Sequence, residues 1–199
     1  DIWAHSGTND QWVRGTPAHT KIKSAYSPVN AWTINLTGSY LDNSDDNLYS
    51  PFFDFSNTVD AELRFWHWLQ TDTWSDGGRV DYSTDGGNTW NVLGTVGDTN
   101  GTNWYSTSYV GGQPGWEGLW PAYQQSVYKL SFLNKSADPV QFRFKFISDS
   151  YTWTPYDGWA MDNFEIFVPI TLSASGQSLY VNSPLVMPVA NTVTAVMKN

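Results

Sequence analysis

Two segments of this sequence alternate apolar and polar side chains so regularly that they constrain the whole fold. In segment 61–69, one set of alternate positions holds Leu63, Phe65, His67 and Leu69. In segment 140–147, the corresponding positions hold Val140, Phe142, Phe144 and Phe146. A period of two is the period of a β-strand with one face buried. Because Trp66 and Trp68 add bulk to the second face of the first segment, we expect that strand to lie centrally in its sheet.

The rest of the chain is typical of sheets joined by turns. Aromatic residues make up 17% of the 199 residues and charged residues only 15%, and aromatic side chains fit half-buried pleated surfaces. Clusters of Gly, Asn, Asp, Ser and Pro separate the apolar segments, and no segment has a helical period. About nine strands at this spacing predict an all-β fold, a jelly-roll β-sandwich of two antiparallel sheets.

The composition changes at Pro169. We predict one jelly-roll domain over residues 1–168, and a linker with a C-terminal strand segment over 169–199. Residues 181–196 are apolar and nearly uncharged, so they are either the start of a next domain or a strand that pairs with a neighbouring molecule. The chain opens on Asp1 rather than Met, which indicates a processed or excised fragment.

Charge and cysteine content exclude several classes of function. A net charge of −9 argues against nucleic-acid binding, which needs clustered Lys and Arg, and suits a calcium-containing exterior. The absence of cysteine leaves no disulfide or thiol chemistry. No apolar run approaches the roughly 20 residues of a membrane span, so we expect no membrane insertion.

A tight hairpin is predicted over residues 76–90. Gly86 and Gly87 supply the positive φ that a short turn needs, while Ser83 and Asp85 offer oxygens to its unpaired amides. The run from Ser83 to Trp90 resembles the Asp-box hairpin of sialidase propellers and many extracellular β-domains. In those proteins the hairpin is a folding device, so we interpret it here as scaffold rather than as a binding site.

The chain as a whole resembles the MAM-like jelly-roll domains of immune inhibitor A type secreted proteases and bacterial surface proteins. The hairpin and five further phrases carry the resemblance in order between residues 3 and 167: 10–17, 49–54, 63–68, 142–149 and 158–164. The resemblance implies a secreted or cell-surface accessory domain, commonly stabilised by calcium, with adhesive or substrate-presenting roles and no catalysis. Such domains often carry a Glu before the hairpin, where this chain has Gln70-Thr71-Asp72-Thr73.

Three aspartates are the first candidates for a calcium site, because Ca²⁺ takes six to eight oxygen ligands. Asp76 begins the hairpin, and Asp157 and Asp162 flank the start of the last strand. Turn formation with the following glycine is the alternative for Asp76 and Asp157. Asp162 shares an alternation with Phe164 and is expected to point inward, where either a metal or backbone amides must satisfy it.

A second metal candidate is the polar loop that contains Asp42, Asp45 and Asp46. It lacks the Gly and the terminal Glu of an EF-hand loop, so a solvated turn is the alternative.

Aromatic residues in the long loops are candidates for stacking on sugar rings: Trp104, Trp116, Trp120, Trp153 and Tyr156. The alternative is a small core beneath a long loop.

Catalysis has little support in the sequence. It contains no His-Glu-x-x-His helix, no Gly-x-Ser-x-Gly elbow and no phosphate loop, and His67 is interpreted as a core histidine. The leading hypothesis is a non-catalytic, calcium-stabilised extracellular module in adhesion or assembly, with a protein or glycan partner at the cell surface. The alternatives are a carbohydrate-binding module with exposed Trp and Tyr, and a structural subunit that assembles through residues 181–196.

Overall fold

A computed structural model of the chain describes residues 2–151 and 155–169, which form a β-sandwich. The strands are β1 (Ala4–Thr8), β2 (Trp12–Gly15), β3 (Ala31–Ile34), β4 (Asp45–Phe53), β5 (Glu62–Gln70), β6 (Gly77–Ser83), β7 (Asn91–Val92), β8 (Gly101–Thr102), β9 (Thr107–Val110), β10 (Gln113–Gly115), β11 (Gln124–Lys129), β12 (Val140–Ile147) and β13 (Gly158–Phe167). One 3₁₀ turn, Ser131–Leu133, follows β11.

Two large antiparallel sheets confirm the predicted fold class. One sheet has the order β1-β4-β12-β6-β7 and the other β2-β3-β13-β5-β11-β8, while β9 and β10 form a separate ribbon. The chain passes from one sheet to the other between β1 and β2, on both sides of β4, between β5 and β6, between β7 and β8, and on both sides of β12. This winding is the jelly-roll topology.

The core lies between the two sheets and follows the alternation read from the sequence. The inward residues of β5 and β12 are completely buried, whereas Arg64, Trp66 and Trp68 on the other face of β5 are only partly buried. Phe65 and Phe144 meet across the two sheets with ring centroids 5.0 Å apart and planes at 88°. Each such aromatic side chain adds about 1.5–3 kcal/mol through burial, so these two strands hold the sandwich together.

His67 is a core histidine, as predicted. Its Nε2 lies 2.8 Å from the hydroxyl of Ser126, which itself donates to the carbonyl of Asn103. Its Nδ1 accepts a hydrogen bond from Nε1 of Trp159 at 3.1 Å. These partners fix the neutral tautomer with the proton on Nε2, and burial lowers the pKa of His67 to about 3.

A proline inside the apolar segment 48–55 favours an edge strand or a bend, because it has no N–H for the ladder. The strand that contains it, β4, pairs with both β1 and β12. The register between β4 and β12 shifts next to Pro51, and the amide of Phe142 donates there to the hydroxyl of Ser50 at 2.9 Å. Pro51 therefore lies at a bulge, two residues beyond the part of β4 that pairs with β1, where a residue without an N–H is tolerated.

Two surface features position the candidate sites. Residues 16–30, here called the N-terminal strap, cross the outer face of the six-stranded sheet, where Tyr26 stacks on Trp66 at 3.9 Å. The loops at one end of the sandwich, together with the β9–β10 ribbon, are here called the loop end and comprise 35–44, 71–76, 107–120, 148–151 and 155–157. In the described ranges, no helix is long and apolar enough to cross a membrane. The segment 181–196 lies outside the described residues, as does nearly all of 169–199.

Candidate ligand-binding surface

Asp76 joins three loops at the centre of the loop end. Its carboxylate is 1% exposed and accepts a hydrogen bond from the hydroxyl of Tyr40 at 2.6 Å and from the amide of Asp149 at 2.8 Å. The amide of Asp72 donates to the same Tyr40 hydroxyl at 3.0 Å. Burial raises the pKa of Asp76, and these hydrogen bonds oppose that rise. The residue therefore acts as a tie between loops.

Asp157 and Asp162 hold the N-terminal strap to β13. Oδ2 of Asp157 accepts the amides of Lys21 at 2.6 Å and Ile22 at 2.8 Å. Oδ2 of Asp162 accepts the amide of Ser27 at 2.7 Å, and the Ser27 hydroxyl donates to the same carboxylate at 3.1 Å. Backbone amides, the alternative considered for Asp162, thus satisfy both carboxylates.

The expected inward orientation of Asp162 is wrong, because β13 contains a bulge. Asp162 pairs with Trp66 on the outer face, whereas the next paired residue is Glu165. Asn163 takes φ +48° within the bulge, and Phe164 turns into the core against Phe144. An extra residue changes the face on which later side chains lie, so Asp162 and Phe164 do not share a face.

These contacts bear on whether the first three aspartates fit calcium. Asp76 and Asp162 use both of their carboxylate oxygens for hydrogen bonds, and Asp157 uses one for two amides. Within the described part of the chain, no three His, Cys, Asp or Glu side chains come together as a metal-binding group. A calcium ion at these three residues stays a prediction, and their observed contacts are those of loop ties.

The second set of aspartates does not converge on one point either. Asp45 forms a salt bridge with Lys145 at 2.6 Å, while Asp46 lies on the opposite, buried face of β4. The carbonyl of Asp42 accepts a hydrogen bond from Asn9 at 3.0 Å. Asp46 is completely buried and its Oδ1 has no hydrogen-bond partner. Burial, assisted by the nearby Asp10 carboxylate, raises the pKa of Asp46 to about 7.

Two of the tryptophans proposed to stack on sugars belong to the core instead. Trp104 is 9% exposed and Trp116 1%, and their rings meet at 5.0 Å and 74°. Their indole N–H groups donate to the carbonyls of Leu93 and Asn103. The glycan prediction is wrong for these two residues, because a ring enclosed on both faces cannot contact a ligand. They form the small core beneath a long loop that was the alternative.

The other proposed aromatic residues lie nearer the surface. Trp120 is partly buried, with its ring 4.7 Å from that of His67. Tyr156 is also partly buried, and its carbonyl accepts the amide of Tyr40 at 3.2 Å. Trp153 lies outside the described residues.

The most exposed aromatic pair of the loop end lies outside the set of residues predicted to bind a glycan. Trp74 is 69% exposed and Tyr109 is 53% exposed, with ring centroids 5.2 Å apart and planes at 42°. Trp74 takes φ +82°, and its amide donates to the carboxylate of Glu117 at 2.8 Å. A bulky residue in this backbone region costs about 1–3 kcal/mol and marks functional loops. Trp74 stands alone in a segment without periodicity, so no sequence pattern predicted that its side chain would be exposed.

A pocket of about 320 Å³ opens beside this loop end. Its apolar wall includes Tyr156 and Leu119, and Leu119 is 61% exposed. Its polar wall includes Thr20, Lys21 and Gln70. An apolar lining with a few polar groups is the usual character of a small-ligand site.

One curated protein is similar to part of this chain. No protein-family model matches the chain. Bacillopeptidase F of Bacillus subtilis (strain 168) is 33% identical over 94 residues, which are 46% of this chain and 6% of that protein. The chain therefore spans only a small fraction of that relative.

Solved structures that resemble the chain are distant in sequence. The K2 cleaved adhesin domain of Lys-gingipain superposes with a TM-score of 0.49 at 13% identity, covering 84% of this chain and 90% of that one. The K3 domain of Lys-gingipain from Porphyromonas gingivalis gives 0.42 at 16% identity, covering 83% and 91%. A carbohydrate-binding module of the β-sandwich superfamily gives 0.44 at 10% identity, covering 83% and 57%.

Proposed function

We propose that this chain is a non-catalytic extracellular binding module of the MAM-like jelly-roll type, which acts in adhesion by holding a partner at the loop end. The observation that carries the proposal is the Trp74–Tyr109 pair, two large rings that are more than half exposed. Aromatic side chains dominate binding interfaces because they bury much apolar area with few rotatable bonds. Exposed rings without a folding role therefore favour a contact surface.

The loop end is held rigid, which supports a role in binding. Gly118 and Thr71 exchange two hydrogen bonds, and the amide of Gly111 donates to the carbonyl of Ser75. The Asp76 tie joins the neighbouring loops. Loops that are already ordered lose little conformational entropy when a partner binds, so the exposed rings are presented at low cost.

A glycan is the second candidate for the partner, and the pocket of about 320 Å³ favours it. Tyr156 and Leu119 offer apolar contacts there, while Thr20 and Lys21 offer hydrogen-bonding groups. A sugar ring has apolar C–H faces and hydroxyl groups at its edges, which match the apolar and the polar walls of the pocket.

The test uses the chain on arrays of glycans and extracellular-matrix proteins, followed by titration of the strongest ligand. Replacing Trp74 and Tyr109 together by Ala weakens binding at least about tenfold, as truncation of interface anchors does. Phe132→Ala is the control, because Phe132 is 51% exposed but lies outside the loop end. Unchanged affinity in the double variant would refute the proposal.

We further propose that calcium stabilises the module. Asp46 supports this because its buried Oδ1 lacks a hydrogen bond, and a bound cation would supply the missing partner. A metal that binds only the folded state raises the melting temperature by mass action. Chelation is therefore expected to lower that temperature in the wild-type chain but not in Asp46→Asn, with Asp45→Asn as control. If chelation lowered the melting temperature of all three proteins equally, Asp46 would not be a calcium ligand.

Assembly through residues 181–196 stays a separate prediction. If these residues add a strand to a neighbour, the full chain is oligomeric in solution and a chain that ends at residue 169 is monomeric. Light scattering on both chains measures the number of protomers per particle, and the same number for the two chains would contradict the prediction.

A further inference from the structure

A second pocket, of about 190 Å³, lies where β2, β3 and the bulge of β13 meet. Three aromatic residues form one wall: Trp3, Trp32 and Phe164. The polar wall consists of Arg14, Asn30 and Asn163. None of these residues belongs to the loop end, so the pocket is independent of the function proposed above.

The aromatic wall is fixed in place by ring contacts. Trp3 meets Phe164 edge-on at 5.0 Å and 89°, and its centroid lies 6.3 Å from that of Trp32. All three rings are only partly buried. Their remaining faces are suited to the electropositive C–H groups of a sugar ring, because an aromatic face carries partial negative charge.

The polar wall depends on an irregular backbone. The bulge between Asp162 and Glu165 gives Asn163 its φ of +48° and brings this exposed residue to the pocket. Bulges often reorient side chains next to functional sites. Asp162 also lines the pocket, but its carboxylate is already engaged by Ser27 and by the amide of Asn163.

Arg14 gives the pocket its charge. Arg64, Arg79 and Arg143 each form a salt bridge with a carboxylate. Arg14, the fourth arginine, forms none with any carboxylate among the described residues, and it is exposed. A guanidinium presents paired N–H donors that match the two oxygens of a carboxylate.

We propose that this pocket binds one pyranose residue that carries a carboxylate, as in a uronic-acid-containing glycan. The aromatic wall packs on the ring, Arg14 binds the carboxylate, and the amides of Asn30 and Asn163 bind hydroxyl groups. The pocket volume suits a single ring rather than an extended chain.

The experiment follows the tryptophan indole signals of the full chain by NMR during titration with methyl β-D-glucuronide. Methyl β-D-glucoside, with the same ring and no carboxylate, is the matched ligand. The glucuronide binds at least about tenfold more tightly, since a charge-assisted pair is lost with the glucoside. Arg14→Gln reduces that preference to about twofold or less, and it leaves folding intact because Arg14 is exposed without an ion-pair partner in the described part.

Lys129→Gln is the control, because Lys129 is an exposed cation on β11 away from the pocket. It retains the preference for the glucuronide. Equal binding of the two glycosides, an unchanged preference in Arg14→Gln, or no response of the indole signals to the glucuronide at millimolar concentration would overturn the proposal. The Trp74 and Tyr109 double variant retains glucuronide binding, which separates this site from the loop end.

Discussion

The hydroxyl of Tyr40 and the carboxylate of Asp76 meet at 2.6 Å beneath the loop end, and both residues are almost completely buried. Tyr40 comes from the loop before β4 and Asp76 from the loop before β6. The amide of Asp149, from the loop before β13, completes the tie. One carboxylate thereby holds three loops that are far apart in sequence, and it lies two residues along the chain from the exposed Trp74.

Tyr40→Phe tests the tie directly. The change leaves a buried carboxylate with one donor fewer, which costs about 1–3 kcal/mol of unfolding free energy. We expect urea unfolding to show this loss and hydrogen exchange of the Asp149 amide to become faster. Tyr109→Phe removes a hydroxyl from an exposed residue and is expected to leave both quantities unchanged. If Tyr40→Phe had the same unfolding free energy as wild type, the hydrogen bond between Tyr40 and Asp76 would not contribute to stability.

Gly78 tests the close approach between the sheets. A Cβ on Gly78 would lie 2.6 Å from the ring of Trp159, which is itself completely buried. Gly78→Ala therefore forces the ring to move and is expected to cost about 1–3 kcal/mol in chemical denaturation. An unfolding free energy equal to that of wild type would mean that the Trp159 ring can move aside without cost.

His67 predicts a specific dependence of stability on pH. Burial lowers its pKa to about 3 in the folded protein, whereas the unfolded chain binds a proton near pH 6.5. The unfolded state thus takes up more protons between these values, so stability falls as pH falls below about 6.5, by about 1.4 kcal/mol per pH unit from this group. His67→Gln does not titrate, and its unfolding free energy should lack this component. Parallel profiles for the two proteins between pH 6.5 and 4 would contradict the assignment.

Asp81 predicts a contrast between a buried and an exposed ion pair. Asp81 is 1% exposed and accepts hydrogen bonds from Nε of Arg79 and Nε of Arg143, both at 3.0 Å. Asp81→Asn leaves two arginines without a counter-charge and is expected to cost about 3–5 kcal/mol. Asp45→Asn breaks the more exposed pair with Lys145 and should cost less than about 1 kcal/mol. Thermal and urea unfolding of both variants measure the difference, and similar small losses would contradict this account.

Local patterns of side chains predict this fold correctly wherever the structure is decided by neighbours in sequence. The alternation through Phe65 and Phe144 reports directly which face is buried, and the turn chemistry of Ser83 and Asp85 is local. In the hairpin, the Gly87 amide donates to Ser83 Oγ at 2.9 Å and the Thr89 amide to Asp85 at 2.9 Å. Periodicity and turn residues therefore sufficed for the architecture.

The orientation and exposure of several side chains depend on residues distant in sequence, and these could not be predicted from local patterns. The bulge after Asp162 places Phe164 on the opposite face from Asp162, and no local sequence pattern predicts that bulge. The burial of Trp104 and Trp116 depends on loops that fold over one another, so their exposure could not be deduced from composition. Trp74 was overlooked because no local pattern marks it, and its backbone amide is bound by Glu117, 43 positions along the chain.

The central claim is that the loop end binds the partner, and covalent footprinting of the side chains in the bound complex tests it most directly. The chain is labelled alone and with the strongest ligand from the glycan and matrix-protein arrays, and modification is read at Trp74, Tyr109 and Phe132. We predict that Trp74 and Tyr109 become protected in the complex while Phe132 does not. Labelling of Trp74 and Tyr109 that is unchanged in a saturated complex would contradict the account.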